Sequence, residues 1–283
     1  MVNINVRLFG VAMIGYLVAT LLYVTYVVSR NRAVGVAATL LALAGWIVNT
    51  AAIGIRCIES YKAGFGYIPL SNMYESMVFF SWSIMLIYLV FEHLYGYRAI
   101  GAFVAPLGFL GIAVVSFNPK ISADLQPLVP ALQSNWLTAH VVTCFFGYAA
   151  FAVAFAISLM YLFGKGPEAG KGSSEAQGLL PAKKVLDELS YKAVAVGFPL
   201  LTLGILTGAA WANYAWGTYW SWDPKETWSL ITWLVYAAYL HARFTAGWKG
   251  GRLAWLSVVG FCAVIFTYWG VNFILSGLHS YAG

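Results

Sequence analysis

Few side chains in this sequence can do chemistry, and those that can gather around one stretch. From Trp211 to Glu226 the chain reads WANYAWGTYWSWDPKE, with an uncharged apolar run on either side. The rings of Trp211, Tyr214, Trp216, Tyr219, Trp220 and Trp222 are too many and too close for one core face, and leaving them all in water is costly. They either line something large, flat and apolar or sit at a membrane interface. Histidines supply the second signal. His140 lies about one turn inside one apolar run and His279 just past the end of another, both at the level of the tryptophan segment under the topology derived below. Two neutral imidazoles facing each other across a flat apolar ligand are an arrangement that holds a haem iron; each taken singly is an ordinary interfacial polar residue. Asp223, Pro224 and Glu226 have a plain structural reading as N-cap, N1 and N3 of the helix that follows. That reading leaves the tryptophans before them unexplained, and a strong helix start also suits a binding loop that must be rigid.

The elements that must position these residues are membrane helices. The composition, 61% hydrophobic and 9% charged with a mean hydropathy of +0.77, lies far outside the range of soluble domains. The fold class expected is all-α, a polytopic integral membrane protein. Spans of about 20 apolar residues fall at Leu8 to Ser29, Val34 to Ile55, Glu75 to Tyr95, Ala99 to Phe117, Trp136 to Phe163, Tyr191 to Trp211, Thr227 to Phe244 and Leu253 to Ser276, about eight in all. The first run has no clear cleavage site and reaches the length of a span, so it is expected to stay as a helix. Arg30, Arg32, Arg98, the lysines from Lys165 to Lys192 and the basic residues from Arg243 to Arg252 mark cytoplasmic loops. Both termini and the tryptophan-rich loop then face outward, which in a bacterium is the periplasmic side of the inner membrane.

Within that frame His241, counted from Trp228 at 1.5 Å per residue, lies roughly 20 Å below the outer face. An ionisable group at such depth faces a cavity or a partner, or else is hydrogen-bonded to a neighbouring helix or snorkels toward Arg243 and the cytoplasmic surface; His93 beside Glu92 is an interfacial residue. The outer loop ISADLQPLVPALQSNW carries Leu125, Leu128, Val129 and Leu132 at i, i+3, i+4 and i+7, which predicts a short helix lying on the membrane despite its prolines. The outer connection from Arg56 to Glu75 is rich in turn formers and shows no chemistry of its own. GKGPEAGKGSSEAQG, within a stretch of about 164 to 182, reads as a flexible cytoplasmic linker between two sets of helices. No internal repeat crosses it, so residues 1–283 are expected to act as one integral domain.

Several function classes are disfavoured. The net charge of +6 is dispersed over short loops, which topology explains without nucleic acid. Cys57, Cys144 and Cys262 lie far apart, with no thiol-redox pair or zinc spacing. Scattered carboxylates and the lack of a phosphate-binding glycine loop give hydrolysis little support.

WGTYWSWDPKE, Trp216 to Glu226, resembles the WGxxWxWD signature of haem-handling proteins. ITWLVYAAYLHAR with GLHSY, SNMYES and LVPALQSNWLTAH are similar to the CcsA (ResC) branch, the system II cytochrome c synthases, over the chain from about Ile68 onward. The resemblance implies a machine that brings haem b, iron protoporphyrin IX, to the outer face. There its two vinyl groups form thioethers with the cysteines of a Cys-x-x-Cys-His motif in an apocytochrome c. It implies external axial ligands at His140 and His279 and a haem platform from Trp211, Trp216, Gly217, Trp220, Trp222 and Asp223. His241 is then one ligand of a transmembrane haem site, and His140, His279 and Asp223 are the catalytic positions. The implied partners are a CcsB (ResB) membrane subunit, which supplies the second transmembrane ligand and has no counterpart within this chain, the apocytochrome c, thiol-reducing proteins and membrane lipid. Two rivals remain. Haem delivery of the CcmC type shares the tryptophan motif, but it resembles a six-helix version without a histidine placed like His241. A haem-free transporter or assembly factor would use the tryptophans as an interfacial belt, yet half of the twelve lie between Trp211 and Trp233.

Overall fold

A computed structural model describes residues 4–164 and 180–275; the expected linker and His279 lie largely or wholly outside the described residues. All regular structure among the described residues is helical. This is the form in which a chain in lipid can satisfy its own backbone hydrogen bonds segment by segment. The helices are α1 (Ile4–Ser29), α2 (Arg32–Lys62), α3 (Met73–Tyr95), α4 (Gly101–Phe117), α5 (Asn135–Phe163), α6 (Lys183–Trp216), α7 (Pro224–Phe244), α8 (Gly251–Ile265) and α9 (Val271–Ile274). A π-helical turn, Phe266–Gly270, joins the last two. Among the described residues seven helical segments are long and apolar enough to cross a membrane, so the protein is a multi-pass membrane protein. The expected span from Thr227 to Phe244 forms as α7 but is not among those seven.

The chain divides into two compact units, one from Met1 to Leu128 and one built from Val129 to Gly164 and Lys183 to Gly283. The boundary therefore precedes α5, which groups with α6 rather than with the helices before it.

In the first unit α1 and α2 form an antiparallel pair. The buried residues of α1, Asn5, Phe9, Ala12, Tyr16, Ala19, Tyr23 and Tyr26, step by four and three, and so do those of α2 from Gly35 to Arg56. This is a heptad seam. Large faces small across it: a Cβ on Gly35 would meet the Tyr26 ring at 2.8 Å, and one on Gly45 the Tyr16 ring at 3.0 Å. Close approach through small residues is what packs helices in lipid, where apolar area alone gives no net drive to associate.

At one end of this unit lies a buried polar cluster that the turn-rich reading of the Arg56 to Glu75 stretch did not reveal. α2 continues past the expected end to Lys62, so Arg56 is helical and fully buried rather than a loop residue. Its Nε donates to Glu75 Oε1 at 3.0 Å, and its two NH groups donate to Asn5 Oδ1 (3.3 Å) and to the carbonyls of Ala123 (2.8 Å) and Asp124 (3.4 Å). Glu75 Oε2 accepts from the Ser71 backbone N–H and hydroxyl, both at 3.0 Å. The guanidinium spends donors on loop carbonyls, and this explains a second correction. The segment from Ile121 to Val129 is not the expected surface helix; only Pro130–Leu132 makes a short 3-10 turn. Pro127 and Pro130 lack the N–H a helix needs, and Arg56 and the Tyr67 hydroxyl (2.9 Å to the Gln126 carbonyl) hold that backbone extended.

In the second unit the same packing device appears between α5 and α6. His140, Cys144, Gly147 and Phe151 on α5 face Gly208, Gly204, Leu201 and Gly197 on α6, each set stepping by four, three and four. A Cβ on Gly147 would meet the Leu201 backbone N at 3.0 Å, and one on Gly197 the Phe151 ring at 2.7 Å.

Removing one partner of a buried ion pair strands the other. Glu75→Gln is expected to lower stability by about 3 kcal/mol, read as a lower midpoint of thermal unfolding in detergent; an unchanged midpoint would show that Arg56 is held by the carbonyls alone.

Candidate functional site

The glycine seam sets the first site residue. His140 sits in the second turn of α5, and at Gly208 an added Cβ would stand 2.5 Å from its Nδ1, so the imidazole occupies the room the glycine leaves. Nδ1 lies 2.7 Å from the Gly204 carbonyl, which only accepts, so Nδ1 carries the proton. In the neutral ring the lone pair is then on Nε2. An imidazole held by Nδ1–H to a carbonyl, with Nε2 basic, is the form that ligates a metal. Its ring lies against Trp211, centroids 6.0 Å apart and planes 19° apart.

Trp211 itself is only 4% exposed and donates from Nε1 to the Ala131 carbonyl at 2.8 Å. It is a support for His140 more than an open face. Trp216, the last residue of α6, packs edge-on against Trp211 at 4.9 Å. Gly217 has φ 78° and its N–H reaches the Asn213 carbonyl, so its immediate signal is the left-handed stop of α6.

The loop that follows is held from beneath. Asp223 and Glu226 form the expected capping box on α7. The Glu226 carboxylate does more than cap: Oε2 accepts from the backbone N–H of Ser221 at 2.8 Å and of Asp223 at 3.2 Å, and the Ser221 hydroxyl adds bonds at 3.3 and 3.4 Å. Between these tied residues Trp222 takes φ 60°, a left-handed conformation that costs a bulky residue on the order of 1–3 kcal/mol. Its ring is 68% exposed and stands edge-on to Trp220 at 5.7 Å. Tyr214 and Tyr219 are exposed as well, and Trp220 buries an Nε1–H that has no hydrogen-bond partner among the described residues. A strained, tightly tied loop thus presents large rings outward and an unmet donor inward. These features fit a broad apolar ligand with polar edges, as a porphyrin is.

Beside the loop, Lys225 in the first turn of α7 points into the bundle. Its Nζ donates to Asn272 Oδ1 at 2.8 Å and lies 5.9 Å from the Tyr268 ring centre. Asn272 is buried and returns its own N–H to the Tyr268 carbonyl. Lys225 stands ahead of the apolar run of α7, and burial lowers its pKa to about 8 against the opposing pull of Asp223 and Cys144. The sequence analysis gave this lysine no role of its own. The signal available was a cation in the first turn of the capped helix, directly after a segment made largely of rings.

His241 is not brought to this place. It lies in the last turn of α7, some 18 residues from Asp223, or about 27 Å along the axis. It is exposed on the stripe of Leu234 and Ala238, and its neighbour Arg243 turns to Asp187 and Glu188, each at 2.8 Å. No group of three or more potential metal-holding side chains exists among the described residues.

Comparison with known proteins places this geometry among others. Residues 70–279 match the family described as Cytochrome C assembly protein. The chain is 43% identical to a protein named Cytochrome c biogenesis protein CcsA from Guillardia theta, covering 88% of this chain and 85% of that one. It is 43% identical to the CcsA of Synechococcus elongatus over 82% of each, and 37% identical to that of Gloeobacter violaceus over 99% and 97%. Among solved structures, one named Cytochrome c Heme Lyase CcmF superposes with a TM-score of 0.71 at 17% identity, over 94% of this chain and 46% of that one. At that identity the likeness concerns the fold.

If the Glu226 carboxylate holds the loop, Glu226→Gln weakens two backbone bonds. The expected loss is about 1–2 kcal/mol of stability with a red shift of tryptophan emission. Unchanged melting and emission would assign the loop's rigidity to the rest of the cap.

Proposed function

Because the chain belongs to the cytochrome c assembly protein family and is of its CcsA type, we propose that it carries haem b to the outer face of a bacterial inner membrane and there attaches it to apocytochrome c. A role in cytochrome c biogenesis follows from the family; the attachment step, the sidedness and a CcsB-like partner are the reading advanced here. The observation that carries it is the His140 imidazole, fixed by the Gly204 carbonyl in its Nδ1–H form against Trp211, beside a loop of outward rings.

In this reading the porphyrin's flat face lies on Trp216, Trp220 and Trp222, while His140 and His279 supply nitrogens to the iron from opposite sides. Haem brings to the reaction two vinyl groups that accept thiols: each sulfur bonds one vinyl carbon, a proton completes the other, and no oxidant is required. The work of this chain is positioning, which can supply much of a rate enhancement. Asp223 and Glu226 keep the ring platform in one shape, and the rings exclude water from the reacting edge. Release of the product needs at least one histidine to yield when the histidine of the Cys-x-x-Cys-His motif takes the iron. His241, exposed on α7, is suited to share an inner haem with a histidine of the partner. The chain is taken to act as one haem-handling domain, although its helices form two compact units.

Removing either external imidazole leaves a cavity that free imidazole can enter. His140→Gly and His279→Gly, co-expressed with a CcsB-like subunit and an apocytochrome, are expected to cut covalent attachment by roughly tenfold or more, alter the haem absorption spectrum, and recover with added imidazole. Two well-folded variants with wild-type spectra and full attachment would sink the ligand assignment, and a purified wild-type protein with no Soret band under any condition would sink the haem reading itself. His241→Ala is expected to empty the outer site as well as the inner one. Normal haem at the outer site in that variant would leave His241 a hydrogen-bonding residue.

A further inference from the structure

We propose that the second unit binds the phosphate of an anionic phospholipid headgroup at the end of α6 and α7 away from the tryptophan loop, between Lys183 and the turn that carries Lys249 and Arg252. The site takes in the last turn of α5, the first turn of α6 and the connection from α7 to α8, and it does not depend on the haem reading. Charge is the first ground. Asp187 and Glu188 are the only acidic residues in these segments, and Arg243 takes both, each at 2.8 Å. The Gly250 N–H donates to the other oxygen of Asp187 at 2.7 Å. Lys183, Lys184, Lys249 and Arg252 are left with no carboxylate partner among the described residues. Residues 165–179 carry two lysines and two glutamates, and so add no net charge.

Solvated cations at a helix end mark topology and nothing more; their placement here is what makes a site. The Lys183 ammonium lies 5.4 Å from the centre of the Tyr161 ring, and the Arg252 guanidinium 5.6 Å from that of Trp248. A ring face attracts a cation without neutralising it, so both charges are positioned and still open to an anion. Tyr161 also joins the two sides. A Cβ on Gly250 would stand 2.6 Å from its hydroxyl, so the turn before α8 comes against the same side chain whose ring carries Lys183. Gly250 takes φ 70°, a conformation that suits glycine at such a close approach. The rim of the patch is apolar, which selects a lipid over a free anion. Phe163 ends α5 and Phe244 ends α7, 70% and 68% exposed, and the Trp248 ring beneath Arg252 is partly exposed as well. Rings so placed meet the acyl chains and headgroups of the bilayer boundary, where each basic residue adds about fivefold to the affinity for an anionic lipid.

The test titrates the full chain in non-ionic detergent with dioleoylphosphatidylglycerol or with dioleoylphosphatidylcholine, which has the same acyl chains and no net charge. Native mass spectrometry reads the first lipid bound. Wild type is expected to take the anionic lipid roughly thirtyfold more tightly, as two basic residues imply. Lys183→Gln and Arg252→Gln should each reduce that preference about fivefold, the double variant should abolish it, and Lys183→Arg should keep it. Tyr161→Phe removes only the hydroxyl between the two sides and should cost about threefold. Arg30→Gln with Arg32→Gln removes two exposed cations of the first unit and should change nothing. The inference is overturned if wild type binds both lipids equally or if the Lys183, Arg252 double variant keeps its preference. It is overturned as well if the Arg30, Arg32 pair costs as much as that double variant, which would make the attraction one of diffuse charge. Millimolar inorganic phosphate should leave the first lipid bound; its displacement would assign the patch to a free anion and overturn the lipid. Should the double variant lose its cooperative melting, Tyr161→Phe decides, and an undiminished preference there overturns the inference.

Discussion

The close approach of α5 and α6 is the constraint on which the candidate site depends. In lipid, apolar side chains gain little by leaving one hydrocarbon environment for another, so helices associate through contact at short range and through polar bonds. Gly197, Gly204 and Gly208 remove the side chains that would hold the pair apart. What enters the space changes along the seam: the Phe151 ring at Gly197, the Cys144 thiol at Gly204 and the His140 imidazole at Gly208. The same geometry that packs the pair therefore brings Nδ1 of His140 onto the Gly204 carbonyl. Packing and the orientation of the imidazole are one interaction here, and enlarging either glycine would disturb both.

Hydropathy made the helices visible but not their mates. The expected spans and the observed helices agree in place, because a long apolar run in a chain of this composition has few alternatives to a helix. The seams were hidden for a related reason: every face of these helices is apolar, so no polar side marks the buried one. What distinguishes the buried face is size. Along α1 and α2 the large residues Phe9, Tyr16, Tyr23 and Tyr26 alternate in register with Ala52, Gly45, Ala38 and Gly35, and that pattern is readable in the sequence only when two segments are laid antiparallel. The capping box before α7 was legible because it is local. The clasp of Glu226 on Ser221 and Asp223, and the left-handed Trp222 between them, depend on how the loop closes, which spacing alone does not specify.

Charges told the opposite story. Arg56, at the start of the expected outer connection, and Lys225, beside the expected helix cap, both turn inward to defined partners in the structure. Counting basic residues per loop works when those residues are solvated. A helix that runs past its apolar core, as α2 does to Lys62, can carry a counted residue back into the protein. The amphipathic pattern of Leu125, Leu128, Val129 and Leu132 failed for a similar reason. Its period was right for a helix, but two prolines and the donors of Arg56 and Tyr67 favour an extended segment whose carbonyls are taken by side chains.

α7 brings these threads together. It falls outside the seven helices apolar enough to cross a membrane, and the residues that cost it apolarity are clustered at its two ends: Lys225 and Glu226 in the first turn, His241 and Arg243 in the last. Its middle packs against its own unit through Thr232, Tyr236 and Tyr239, with Tyr236 stacked on Phe151 of α5 at 3.5 Å. The opposite stripe, Leu234, Ala238 and His241, is left exposed. A helix built this way has a fixed length between a charged, loop-clasping start and an outward imidazole. Its polarity is confined to the two ends, and the aromatic packing along its buried side helps to offset what those polar groups cost.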